Sequence, residues 1–246
     1  MQRPAKSRRF PLIGLAVLLP ALSAAAPAAA PRLPERLTAT FGVEAAGQTI
    51  GEARWTLAPE PGHRYRFESV TKAVGLFSLL LSGDRREVSL WTYDSAGRPR
   101  PLRYTFEKSG GKPQAAVIDF DWNAGVATSA YRGKTATLPL APGTLDALVY
   151  VLALMQDLRA AKPELSYTLA ERGKVKTYVL TREGHEQVET GLGTLETVRL
   201  SRVDEEGRKT TLWCAPTLGY VPVVMEHAEG RGEAIRLRLR EKSGSD

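Results

Sequence analysis

The stretch from Pro142 to Ala160 reads P-G-T-L-D-A-L-V-Y-V-L-A-L-M-Q-D-L-R-A, with no charge between Asp146 and Asp157. A surface helix needs only one apolar stripe, so a rod that is apolar on every side has to be covered on every side. Most of the remaining chain alternates apolar and polar residues with period two, the mark of half-buried strands. Together these predict a mainly β fold: a single curved antiparallel sheet, an incomplete barrel, wrapped around one central apolar α-helix near 144–160. A length of 246 residues fits one large β domain, here expected over 37–242.

The N-terminal stretch has the three parts of a secretory signal. Arg3, Lys6, Arg8 and Arg9 precede the apolar run Leu12 to Leu22, and the small-residue tract Ser23 to Ala30 follows. The run is too short to cross a bilayer. A leader over 1–28, cleaved after Ala25 or Ala28, and a proline-rich tether over 29–36 are therefore expected, with export to the periplasm. No cysteine follows either cleavage site, so no lipid is expected on the new terminus. Ser7-Arg8-Arg9-Phe10 approaches a twin-arginine signal with its Phe one place early. The formal charge is +7, and setting aside the four leader cations leaves +3. That mild basicity argues against nucleic acid as the partner.

In chain order, Leu37, Ala39, Phe41 and Val43 share one face of a first strand, and Ala53, Trp55 and Leu57 one face of a second. Tyr65 and Phe67 then oppose Arg64, Arg66 and Glu68. The run Val74 to Gly83 is too apolar for an ordinary loop and predicts a buried crossing segment, a short helix or a mobile flap over a cavity. Val88 and Leu90, then Leu102, Tyr104 and Phe106, then Ala116, Ile118, Phe120 and Trp122 mark the next inward faces. Pro142-Gly143 releases the chain into the helix, where Thr144 or Asp146 can cap the first amides. The later strands are Leu165 to Ala170, Val175 to Thr181, Gln187 to Val203, Thr210 to Cys214, Val221 to Glu226 and Glu233 to Arg240, with Gly184 in a turn. In the last of these, Arg236, Arg238 and Arg240 alternate with apolar residues. This stripe reads as a solvated face or protected edge strand, or as a peripheral contact with anionic headgroups.

Chemistry is sparse. His63, His185 and His227 have no metal-ligand spacing, so no metal is expected. Ser69-Val70-Thr71-Lys72 matches S-x-x-K but lies in a strand pattern, where the penicillin-recognising enzymes have a helix start. Asp119 and Asp121 share a face about 7 Å apart, yet oppose Phe120 and Trp122 as a solvated pair would. Cys214, the lone cysteine, reads as a small buried apolar residue. No nucleotide or hydrolase motif is present, so no cofactor and no catalytic residue is assigned.

Several short motifs occur in a telling order: Gly47-x-x-x-Gly51-Glu52-Ala53, Pro101-Leu102-Arg103-Tyr104, Phe120-Asp121-Trp122, Lys176-Thr177-Tyr178, and Thr211-Leu212-Trp213-Cys214-Ala215-Pro216 running into Leu218, Tyr220 and Val221-Pro222-Val223. This spacing resembles the exported bacterial family catalogued as domain of unknown function 3108, over nearly the whole chain after the leader. Cys214 departs from the aliphatic residue expected there. The family brings no catalytic residue to carry over. The Trp213 hairpin is also similar to one in the periplasmic lipoprotein carriers and related lipid-binding half-barrels, an analogy of fold that does not by itself transfer function.

A sheet curled around one helix leaves a concave apolar surface, and whatever the helix does not fill is a pocket for an acyl chain or similar ligand, expected as a void of roughly several hundred Å³ beside the helix. The residues expected to line it are Leu148, Leu152 and Met155 on the helix with Leu76, Phe77 and Leu80 on the flap. The leading expectation is a non-enzymatic periplasmic binding or carrier protein for an apolar, lipid-like molecule. The alternative is a cell-envelope structural or adaptor protein that meets a partner protein through its surface.

Overall fold

The structure is a computed structural model that describes residues 33–75, 83–110, 112–229 and 234–244. Eight strands come first: β1 Leu37–Ala45, β2 Gln48–Glu60, β3 Arg64–Ala73, β4 Arg85–Tyr93, β5 Pro99–Lys108, β6 Gln114–Asp121, β7 Val126–Tyr131 and β8 Lys134–Pro139. Helix α1, Val149–Arg159, follows. Six strands complete the chain: β9 Leu165–Glu171, β10 Lys174–Thr190, β11 Gly193–Val203, β12 Lys209–Ala215, β13 Val221–Ala228 and β14 Ile235–Ser243.

All fourteen strands form one sheet in the order β8-β7-β6-β5-β4-β3-β2-β1-β14-β13-β12-β11-β10-β9. Two antiparallel meanders therefore meet where β1 pairs with β14, and the free ends of the sheet are β8 and β9. The chain passes between those ends through α1, which packs against β5 and β9. Among the described residues the gap is bridged by the Gly173 amide, which donates to Ser129 Oγ at 3.0 Å, and by Arg172, which lies 5.9 Å from the ring centroids of Phe106 and Tyr131. The result is a nearly closed antiparallel barrel with one helix, as the alternation and the uncharged stretch predict.

From Val151 to Leu158 every residue of α1 is buried, and Val149, Leu152, Ala153 and Leu154 are wholly enclosed. Each large aliphatic side chain so enclosed contributes about 1.5–3 kcal/mol. The helix starts later than the sequence predicts. Leu145 is taken into a parallel bridge with Leu169 of β9, its amide donating to Thr168 O and its carbonyl accepting from Ala170 N. Asp146 then caps the helix as expected, its Oδ1 accepting from the amides of Leu148 and Val149, both at 2.8 Å.

Four other expectations are corrected. β4 turns Glu87, Ser89 and Trp91 inward, where Val88 and Leu90 were expected, because its neighbours set Phe67 opposite Ser89 and Tyr65 opposite Trp91. A register shift between Leu90 and Trp91 accompanies this. Gly184 makes a bulge within β10, not a turn, with φ +122° and a register shift beside it. The expected strand from Gln187 to Val203 turns back at Gly191 and Leu192, dividing it between β10 and β11. Finally, β14 is no edge, being paired with β1 and β13.

The outer half of the β10–β11 hairpin forms an arm over the convex face of β12 and β14. Trp213 Nε1 donates to Glu186 Oε2 at 2.9 Å, and Arg238 Nη1 donates to Glu189 O at 2.6 Å. At the tip, the Gly191 amide donates to Leu239 O. A Cβ at Gly191 would lie 2.3 Å from Arg240 O, so only glycine permits this approach.

Candidate functional site

The barrel has one end at which chemistry-bearing side chains gather on the inner wall. Register places Ser69, Glu87, Phe106, Ala116 and Tyr131 side by side across β3 to β7, and below them Phe67, Ser89, Tyr104, Ile118 and Ser129. Two buried carboxylates, Glu87 and Asp146, stand at this end, and each is tied down. Glu87 accepts from Tyr104 OH at 2.5 Å and pairs with Arg85 at 2.6 Å. Asp146 accepts from Ser89 Oγ at 2.5 Å through the oxygen left over from capping. Burial, partly offset by these hydrogen bonds, raises the Asp146 carboxyl to about 6. Burial and the neighbouring Glu87 push the Tyr104 phenol far up, so it stays a donor. Asp146 is wholly enclosed, so it joins helix to wall and is not itself open to solvent.

Above it lies a rim of cations and rings. Arg85 lies 5.2 Å from the Phe106 ring centroid, Arg172 5.9 Å from both Phe106 and Tyr131, and Arg132 5.1 Å from Tyr131. Two of these arginines come from matching hairpins, Tyr131-Arg132-Gly133-Lys134 and Glu171-Arg172-Gly173-Lys174. Both turns have positive φ at both central residues, 50° and 72° in one, 47° and 80° in the other. That conformation favours Asn, Asp or Gly at its first position. The repeated R-G-K tripeptide is the signal by which sequence reading could have found this rim, and it was missed. Glu87 and Ser89 were missed because the apolar pattern of β4 points the other way.

The residues expected to line a ligand site are distributed as follows. Leu148, Leu152 and Met155 lie in the core, 5%, 0% and 1% exposed. Leu76, Phe77 and Leu80 fall outside the described residues, as does the stretch 1–28 expected to be a leader. Two surface grooves include no residue of α1, so neither is the void expected beside the helix. One, of about 340 Å³, lies under the arm among Val188, Trp213, Val224, Arg236 and Arg238. The other, of about 480 Å³, lies where β9 begins beside Val179 to Arg182. The arginine stripe is internally engaged: Arg236 pairs with Glu226, Arg238 with Glu44 at 3.2 Å, and Arg240 donates to Thr49 Oγ1 at 3.0 Å.

The remaining candidates have structural partners. Asp119 pairs with Arg103 at 2.5 Å, and Asp121 closes the following turn by accepting from the amides of Asn123 and Ala124. Cys214 is wholly buried, and burial pushes its thiol well above the ordinary range. Ser69 to Lys72 lie within β3, away from any helix start. No cluster of metal-ligating side chains occurs among the described residues.

Comparison with known proteins agrees with this geometry. No curated protein matches the chain. Among solved structures, a beta-barrel-like protein of domain of unknown function DUF1849 from Brucella abortus is similar, with a TM-score of 0.54 and 13% identity. The match covers 87% of this chain and 99% of that one, and supports the barrel-like fold alone. The family model described as "Protein of unknown function (DUF3108)" matches residues 36–240. With the barrel, its enclosed helix and that match over most of its length, the chain belongs to the DUF3108 family.

Proposed function

We propose that this is an exported, periplasmic binding or carrier protein that takes an apolar, lipid-like chain between α1 and the barrel wall. The observation that carries this reading is how α1 is held. Polar contacts fix it near its ends: Asp146 to Ser89, Gln156 Nε2 to Gly97 O at 3.0 Å, and Asp157 to Arg98 at 3.4 Å. Between them Leu148, Leu152 and Met155 meet the wall through apolar contact. An acyl chain can replace such contacts atom for atom, and an unbranched Met adapts to the change. The helix thus fills the ligand's place when no ligand is bound, and binding displaces it from the wall. Leu76, Phe77 and Leu80 complete the proposed lining. Native mass spectrometry of protein taken from the periplasm tests this. A retained lipid mass is expected; protein without lipid that also fails to bind an added fatty acid contradicts it.

A second reading, an envelope adaptor acting through its surface, is favoured by one observation. Val175 and Val179 on β10 are 41% and 60% exposed, and Val203 on β11 is 64% exposed. Val179→Glu would then abolish partner cross-linking in cells while leaving lipid retention intact.

A further inference from the structure

We propose that the rim built by the two R-G-K turns is a docking site for the phosphate headgroups of anionic lipid. Arg85, Arg132 and Arg172 come from three separate strand ends and converge on two rings, Phe106 and Tyr131. A guanidinium over a ring face keeps its N–H donors for another acceptor. Arg85 is neutralised by Glu87, and Arg172 lies 3.7 Å from Glu171, which Lys176 shares at 3.5 Å. Arg132, Lys134, Lys174 and Lys108 are exposed and have no ion pair among the described residues. The chain carries only +3 outside its leader, so this grouping is a local excess. It contrasts with the stripe on β14, whose cations already have protein partners.

The backbone supports the same reading. Arg132 and Arg172 both occupy the left-handed region, at a cost on the order of 1 kcal/mol each where glycine would have none. Arg132 and Arg172, one from each turn, meet over the Tyr131 ring, in the same layer of the wall as Glu87. A bilayer headgroup suits the spread of this rim over several turns, since each cation can meet a different phosphate. The inference rests on the carrier reading, because the rim is then the end through which a lipid passes.

The test is cosedimentation of the purified protein with vesicles of phosphatidylcholine alone, or of phosphatidylcholine with an equal part of phosphatidylglycerol. The protein is expected to pellet with the anionic vesicles and not with the neutral ones. The triple variant Arg132→Gln, Lys134→Gln, Lys174→Gln should bind them on the order of a hundredfold more weakly, about fivefold per cation. Arg54→Gln and Arg64→Gln, elsewhere on the wall, should leave binding unchanged, and circular dichroism should show every variant folded. Equal binding to both vesicles overturns the proposal, as do control variants that lose as much as the triple variant. Release by inorganic phosphate matched to the lipid phosphate also overturns it, by making the ligand a free ion. Lipid retained in native mass spectrometry without any vesicle preference sinks this inference and leaves the carrier reading standing.

Discussion

The two halves of the barrel wall keep water from their backbones differently. In β2 and β3 the buried residues alternate with half-buried or exposed ones, from Gly51 to Leu57 and from Phe67 to Val70. In β12 and β13 they do not: Thr211 to Ala215 and Val221 to Val224 are buried without interruption. The arm from β10 and β11 lies over their convex side and covers Trp213 and Val224, which the core cluster does not include. A sheet between two layers loses its period-two signature. The lesson is that a continuous apolar run in this chain marks a second covering layer, on the outside for β12 and β13 and around every side for α1.

The largest expected effect breaks the covered half. Trp213→Ala removes the ring beneath the arm and the anchor to Glu186, and should cost about 3–5 kcal/mol in urea unfolding. In the other half, the stress point is the buried carboxylate capping α1. The Asp146 carboxyl rises from an ordinary 3.8 to about 6 on folding, so the native state holds that proton more tightly than the unfolded chain. Its contribution is fully present below about pH 4 and is lost as pH rises through 6, a change of about 3 kcal/mol by linkage. Asp146→Asn keeps a capping oxygen, and should flatten stability between pH 4 and 7 relative to the parent.

Gly191→Ala tests whether the arm is a layer of its own. The new methyl would collide with Arg240 backbone, and overpacking of this kind costs about 1–3 kcal/mol. Amide exchange should quicken along the arm while α1 stays protected. Smallest is a paired comparison of two indoles. Trp91, on the inner wall, is wholly buried and stacks on Tyr65 at 4.7 Å, and its Nε1 has no acceptor among the described residues. Trp213 donates to Glu186. Replacement by Phe should therefore cost about 1 kcal/mol more at 213 than at 91.

How much of this was legible from residues alone follows the same division. The inward faces of β1, β2, β3 and β6 read directly, because Leu37 to Val43, Ala53 to Leu57, Tyr65 and Phe67, and Ala116 to Phe120 face one apolar interior. The enclosed helix read directly because nothing else accommodates eleven residues with so little charge. β4 did not, since Glu87 and Ser89 turn inward to meet Tyr104 and Asp146, and Asp146 lies 57 residues away from Ser89. Gly184 looks like a turn in sequence and is a bulge, because the strand continues past it to form the arm. The R-G-K turns did not read directly either, since no local pattern reveals that 132 and 172 meet.

The central claim is that α1 is an enclosed rod, sealed by the wall on every flank. Hydrogen exchange read residue by residue along Val149–Arg159 tests it most directly. The amides from Val151 to Leu158 should exchange only through global unfolding, uniformly around the helix, and become less protected when a bound lipid displaces the rod. Fast exchange with a 3.6-residue period in the lipid-free protein, marking one wet flank, would contradict it.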